Sequence, residues 1–334
     1  MIKDKFYVPK YYKAFKCKGM DCKNTCCKNW NITLTMSDYD KISSLDCSNE
    51  LREKIDRGIS IFNNATSERY AKIDLNYYGE CKLRLENGYC GLQCELGEEN
   101  IPSVCRYYPR APRLFPDKTA TISLSCEWVV EYLLSNTLPQ EFEYQELTFY
   151  LDKEQEIKIN LNDFKTLRNK SIEIISNRNL DFFDRFNELS KFLNVSLNTN
   201  SDFNLKMIES LSEFYTHSYS ICDYINLDNI KDYKEVYNKL NELIPNYSIY
   251  LEKILINHMM YISFPFVSYK EDLEYALNGL FYVTMFLNQL VYNTMETFDK
   301  VEVISNYFRV AEHANMYDVI ESMLLRNKKT GKNH

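Results

Sequence analysis

Ten of the chain's eleven cysteines fall between Cys17 and Cys126, and only Cys222 lies beyond. That is about 9 % of the segment, the density of a disulfide scaffold. The N-terminal stretch Met1–Lys10 has no apolar signal-peptide core, so the expected setting is the cytoplasm, where thiols stay reduced. Dense cysteine in a reducing compartment reads as metal or catalytic chemistry. The first group is Cys17-x4-Cys22-x3-Cys26-Cys27 and the second is Cys81-x8-Cys90-x3-Cys94-x10-Cys105, followed by Cys126. Short spacings let several thiolates of one loop meet one ion, with a second loop completing the set. All four histidines, His217, His258, His313 and His334, lie far from these groups in sequence. The expected donor set is therefore all sulfur, for zinc or an iron–sulfur cluster. The C-x3-C-x2-C radical signature is excluded, because Asn29 stands where its third cysteine would be.

Glycine excludes a second group of functions. The chain has 8 glycines, about 2.4 % against the usual ~7 %, and none forms a G-x-G. Gly-rich dinucleotide and phosphate loops are ruled out, because both need glycines for close backbone approach.

Charge divides unevenly. Residues 1–139 carry 20 Lys and Arg against 18 Asp and Glu, net +2, and residues 140–334 carry 20 against 29, net −9, giving the overall −7. The acidic half argues against nucleic acid, whose binding needs phosphate neutralisation, and suits a cationic partner. The uncharged run Tyr275–Met295 contains Asn278, Asn288, Gln289 and Asn293. These are costly in lipid, so the run reads as a buried helix and no membrane span is expected.

The pattern of elements predicts an α+β protein: a small cysteine-rich α+β metal domain over 1–139, then a larger all-α domain over 140–334. Strands are expected at 30–35, 70–75 and 119–125, with a hairpin turning at Asn87-Gly88 over 82–90. Helices are expected at 37–57 and from 127 to 134. Beyond Pro139 the 3.6-residue period predicts helices at 161–178, 181–194, 203–223, 229–244, 248–264, 270–293 and 297–326.

A second motif follows the cysteines: Cys105-Arg106-Tyr107-Tyr108-Pro109-Arg110. Arginine offers a bidentate fork for carboxylate or phosphate, and tyrosine faces attract sulfonium or ammonium groups.

The ordered set Phe15-Lys-Cys17, Cys22-Lys-Asn-Thr-Cys26-Cys27, Trp30, Gly79-Glu-Cys81, Leu85-Glu-Asn-Gly-Tyr-Cys90, Glu95-Leu-Gly-Glu98, Cys105-Arg-Tyr-Tyr-Pro-Arg110 and Ser123-Leu-Ser-Cys126 resembles the bacterial flagellin lysine-N-methylases. The resemblance covers roughly residues 10–135. It implies methyl transfer from S-adenosylmethionine to surface lysines of flagellin, and a cysteine-bound [4Fe–4S] cluster. Carried onto this chain, the ligands come from among Cys17, Cys22, Cys26, Cys27, Cys81, Cys90 and Cys105. The family often has a further cysteine shortly before Cys105; here that stretch is Ile101-Pro-Ser-Val104, and Cys94 is extra. Methylation needs a neutral amine, whereas free lysine has a pKa near ~10.4. Tyr107, Tyr108 and Glu127 are the candidates for the catalytic environment, and Arg106 and Arg110 for gripping the methyl donor's carboxylate. The alternative is a non-enzymatic, zinc-stapled module that binds a protein partner.

Overall fold

The structure is a computed structural model that describes residues 2–28, 30, 32–149, 161–218 and 220–330. Asn29, Asn31, His334 and the basic tail beyond Thr330 lie outside the described residues. Seven strands are described: β1 (Ile2–Pro9), β2 (Ile32–Leu34), β3 (Ile59–Ile61), β4 (Ala71–Ile73), β5 (Arg110–Arg113), β6 (Thr119–Ile122) and β7 (Phe142–Phe149). The fold is mixed α+β, as the periodicities predict. It divides into two compact units, Lys16–Arg110 and a second built from Met1–Phe15 with Ala111–His334. These limits differ from a division at Pro139.

The reason is β1. It pairs antiparallel with β7 over its whole length, from Ile2 opposite Phe149 to Pro9 opposite Phe142, and parallel with β6 at Tyr7 and Thr119. The sheet order is β5-β6-β1-β7. The region beyond Pro139 is therefore not all-α, because β7 belongs to it. Its sequence, Phe-Glu-Tyr-Gln-Glu-Leu-Thr-Phe, alternates apolar and polar side chains at each end but changes phase at Gln145-Glu146.

The cysteine-rich unit holds the sheet β2-β4-β3, all antiparallel. The expected single helix over 37–57 is two: α1 (Met36–Ser43) and α2 (Asn49–Gly58). Thr35 caps the first by accepting from the Asp38 amide, and Ser48 caps the second by accepting from the Leu51 amide. A serine with a free amide three residues on is a helix start, and here it wins over continuation. Two short helices follow, α3 (Gly91–Leu96) and α4 (Ser103–Tyr107). Ile32, Leu34, Ile42, Leu51, Ile55, Ala71, Ile73, Leu83 and Leu92 form the core, and Cys81, Cys90 and Cys105 pack against it. The expected hairpin over 82–90 reduces to a turn closed by one isolated bridge, Arg84 with Cys90.

The other unit is built on α5 (Glu127–Leu134), α6 (Leu161–Ile175), α7 (Phe182–Leu193), α8 (Ser201–Tyr215), α9 (Tyr233–Leu243), α10 (Tyr247–Tyr261), α11 (Leu273–Asn293), α12 (Lys300–Ala311) and α13 (Met316–Thr330). Asp181, Asn200, Asp232, Asp272 and Asp299 cap α7, α8, α9, α11 and α12 through their side-chain oxygens. The predicted helix 203–223 ends at Tyr215, and the predicted 297–326 breaks after Ala311 into α12 and α13.

The uncharged run forms α11 and is buried from Tyr275 to Val291. Three of its polar side chains find partners within the protein. Asn278 donates to the Ser196 carbonyl, Asn288 accepts from the Tyr247 hydroxyl and Gln289 donates to the Asn229 carbonyl. Burial of amides is tolerated when they are bonded in this way. No described helix is long and apolar enough to cross a membrane.

Gly279 is where α11 admits α13. A Cβ there would lie 2.1 Å from the Tyr317 ring, and Tyr317 is buried and unable to swing away freely. Gly279→Ala is expected to destabilise the fold by about 1–3 kcal/mol or more through overpacking, despite alanine's better helix propensity. Chemical denaturation of the purified variant checks this; unchanged stability would mean that the ring is not fixed against α11.

Candidate functional site

The cysteines of the two sequence groups come together in the Lys16–Arg110 unit. The Cys81 amide donates to the Cys27 carbonyl at 2.8 Å, and Cys81 bridges to Leu75. The Gly91 amide donates to the Leu83 carbonyl and the Cys94 amide to the Cys90 carbonyl, which fixes Cys90 at the start of α3. Cys105 sits on α4, whose start is held from α1: Asp38 accepts the Ser103 amide at 3.1 Å and the Ser103 hydroxyl at 2.8 Å. Turns and caps thus carry five thiols from three segments to one half-buried patch.

The thiols perturb one another. A hydrogen bond from Cys26 lowers the Cys27 pKa, with further help from Thr25 and the Arg84 guanidinium, against the opposing effect of burial. The partner in that bond, Cys26, is raised, first by the same bond, then by burial and the charges of Cys27, Cys105 and Cys17. Burial pushes Cys81 up to about 12 and raises Cys90 and Cys105; each also feels the charge of Cys27. Arg84 is itself fixed, donating to the Gly88 carbonyl at 2.7 Å and to Glu80 at 2.8 Å. The patch in its metal-free form therefore concentrates one thiolate among neutral, desolvated thiols.

All these cysteines are free thiols. Among the described residues no three His, Cys, Asp or Glu side chains converge tightly enough to hold an ion as they stand. The thiols are within electrostatic reach of each other without meeting at one point. As a donor set they fit a thiophilic metal: soft, half-buried and free of any histidine. A metal would bind them as thiolates and displace their protons.

Of the remaining predicted ligands, Cys17 is exposed, its sulfur accepts from the Gly19 amide at 3.4 Å, and it is sensed by Cys26. Cys22 is half-buried. Cys94 is exposed and is sensed by Cys90.

The aromatic–arginine motif follows Cys105 directly. Arg106 lies over the Tyr107 ring at 5.3 Å, and the Tyr108 ring meets Trp30 edge-on at 4.8 Å. Arg110 begins β5. Tyr107 and Tyr108 therefore share a unit with the thiol patch. Glu127 does not: it is buried at the start of α5 in the other unit.

Sequence reasoning missed a second polar centre, built wholly within that other unit. The break after α12 leaves Glu312 and His313 beside the Ser123-Leu-Ser125 turn. Glu312 Oε2 accepts the Ser123 hydroxyl at 2.6 Å and the Leu124 amide at 3.0 Å. Its Oε1 lies 3.2 Å from His258 Nδ1, and both side chains are 0 % exposed. His258 Nε2 lies 3.2 Å from the Tyr317 hydroxyl. Ser125 Oγ lies 2.6 Å from Ser123 Oγ and 2.8 Å from His313 Nε2, while His313 Nδ1 lies 3.5 Å from the Tyr261 hydroxyl. The Ser-x-Ser pattern was visible in the sequence, but nothing there linked it to residues almost two hundred positions away.

No protein-family model matches this chain, and neither a curated protein nor a solved structure is similar to it.

The thiol ranking has a direct chemical consequence. Thiolate, not thiol, is the nucleophile, and a pKa lowered below the ordinary ~8.5 gives more thiolate at neutral pH. In reduced, metal-free protein, Cys27 is expected to alkylate before Cys26, Cys81, Cys90 and Cys105. Its advantage should grow as pH falls from alkaline to neutral, because the others protonate first. Time-resolved iodoacetamide labelling with peptide mass mapping checks the order; Cys81 labelling ahead of Cys27 would contradict it.

Proposed function

We propose that this chain is a protein-lysine N-methyltransferase that carries a cysteine-held [4Fe–4S] cluster and transfers methyl groups from S-adenosylmethionine to surface lysines of flagellin. The observation that carries the reading is the gathering of Cys26, Cys27, Cys81, Cys90 and Cys105 into one half-buried, histidine-free patch beside the Cys105–Arg110 motif. The ordered sequence resemblance over residues 10–135 supplies the activity.

In this reading the ligands are drawn from those five with Cys17 and Cys22. A bound cluster would supply a redox-active centre and a crosslink between three chain segments. Arg106 and Arg110 grip the carboxylate of the methyl donor, for which a guanidinium fork is suited. Tyr107 and Tyr108 offer ring faces to its sulfonium. Glu127 remains a candidate for the environment of the acceptor amine. The acidic half of the chain suits a lysine-bearing protein partner, and cytoplasmic action before flagellin export is part of the same proposal.

Anaerobically purified protein is expected to be brown, to contain iron and acid-labile sulfide, and to bind S-adenosylmethionine. Incubated with flagellin, it should add mass in methyl increments. Cys27→Ser and Cys105→Ser should each lose most of the bound iron. A colourless protein with one tightly held zinc, which captures flagellin without adding mass, would overturn the reading in favour of a zinc-stapled binding module.

A further inference from the structure

The hydrogen positions in the Glu312 network follow by elimination. An ionised carboxylate only accepts, so Ser123 spends its single proton on Glu312 Oε2. The short contact between the two serines must then be donated by Ser125. Ser125 has no second proton, so its 2.8 Å contact with His313 is donated by His313 Nε2–H. With a neutral ring, His313 Nδ1 is left as an acceptor for the Tyr261 hydroxyl. His313 keeps one face open to solvent, yet its packed side is desolvated enough to lower its pKa, which favours that neutral ring. On the other branch, His258 donates from Nδ1 to Glu312 Oε1 and accepts the Tyr317 hydroxyl at Nε2. Two one-way chains thus run from Tyr261 and from Tyr317 to one carboxylate.

Tyr261 and Tyr317 both line one cavity. It encloses about 530 Å³ and is lined by Arg113, Tyr261, Tyr275, Glu312, Tyr317 and Asp318, with apolar walls from Ile262, Val267 and Ala311. Its charged lining is two carboxylates and one guanidinium. Arg113 is engaged, donating to Ser263 Oγ at 3.1 Å and lying over the Tyr261 ring at 5.3 Å. The rim already holds an alkylammonium from the protein itself: Lys270 Nζ is 3.0 Å from Asp318 and 4.1 Å above the Tyr275 ring. A carboxylate beside tyrosine faces is a setting that recognises such cations.

We infer that this cavity binds a primary alkylammonium side chain, a lysine of a partner protein, between its carboxylates and the faces of its tyrosines. The assignment of the ligand to a substrate lysine rests on the methyl-transfer reading above. Lys270 is the resident competitor for the cation site at the rim.

The test is binding of Nα-acetyl-lysinamide to the full chain at neutral pH, by calorimetry or ligand-observed NMR, with the norleucine analogue as the uncharged control. Saturable binding is expected for the lysine probe only. Glu312→Gln should weaken it several-fold, since one of the two carboxylate charges beside the cavity is lost. Lys270→Met, an exposed change that leaves the buried network intact, should strengthen it. Equal binding of the norleucine probe, no binding by the wild type, or weaker binding by Lys270→Met would each overturn the inference. If Glu312→Gln fails to fold, Lys270→Met and the norleucine control still decide. The assay uses neither metal nor methyl donor. Lysine binding without methyl transfer would therefore overturn the proposed function and leave the cavity site standing. Transfer that persists unchanged in folded Glu312→Gln protein would overturn the cavity's role in it.

Discussion

The full-length pairing of β1 with β7 determines how the rest of the chain is arranged. It ties the first nine residues to a strand that ends at Phe149. The neighbouring strand on β1's other side is β6, and the sheet continues to β5. The chain therefore leaves this sheet after Pro9 and rejoins it at Arg110. Everything between Lys16 and Arg110 is an insertion with its own sheet and its own core. Closing so long a loop costs conformational entropy only slowly with length, provided the inserted segment buries enough surface to fold. It does so with a small apolar core, and a metal crosslink among its thiols would add to that stability.

The two units divide the chemistry. Sulfur donors concentrate in the insertion, and the described histidines all lie in the other unit. That segregation was legible in the sequence because the cysteine spacings are short and local: Cys22, Cys26 and Cys27 can only be near one another. The approach of Cys81, Cys90 and Cys105 was legible as an expectation and depended on turns, at Gly88 and at the Asp38-held start of α4, that fix each thiol's position. The buried run of α11 was legible for a different reason. A long uncharged stretch with spaced amides suits a protein interior better than lipid, and each amide then needs a partner, which Ser196, Tyr247 and Asn229 provide.

Helix ends were less legible. Periodicity extends a helix through any stretch with the right apolar spacing, so 37–57 and 297–326 read as continuous. Local hydrogen bonds decided otherwise. Ser48 stops one run by capping the next helix, and the turn at Glu312–Asn315 stops the other. β7 was missed because it sits past a proline, within a region whose dominant period is helical, and its alternation changes phase at Gln145-Glu146. It is paired because β1 offers it a complete ladder, a tertiary cause with no local trace.

The break after α12 matters most for chemistry. Had the helix continued, Glu312 and His313 would have pointed along a regular surface with their carbonyls satisfied by the next turn. The turn instead delivers a carboxylate into a fully buried position. A buried charge of that kind persists only when several donors face it. Here a backbone amide, a serine hydroxyl and an imidazole N–H do so, the first two from the Ser123–Ser125 turn and the third from α10. The requirement that every donor point inward removes the freedom of each hydroxyl and ring in the chain of contacts. Directionality, which an isolated Ser–His or Tyr–His contact lacks, is thus a consequence of burying a single charge. The two ends of that ordered chain are Tyr261 and Tyr317, residues that line one cavity.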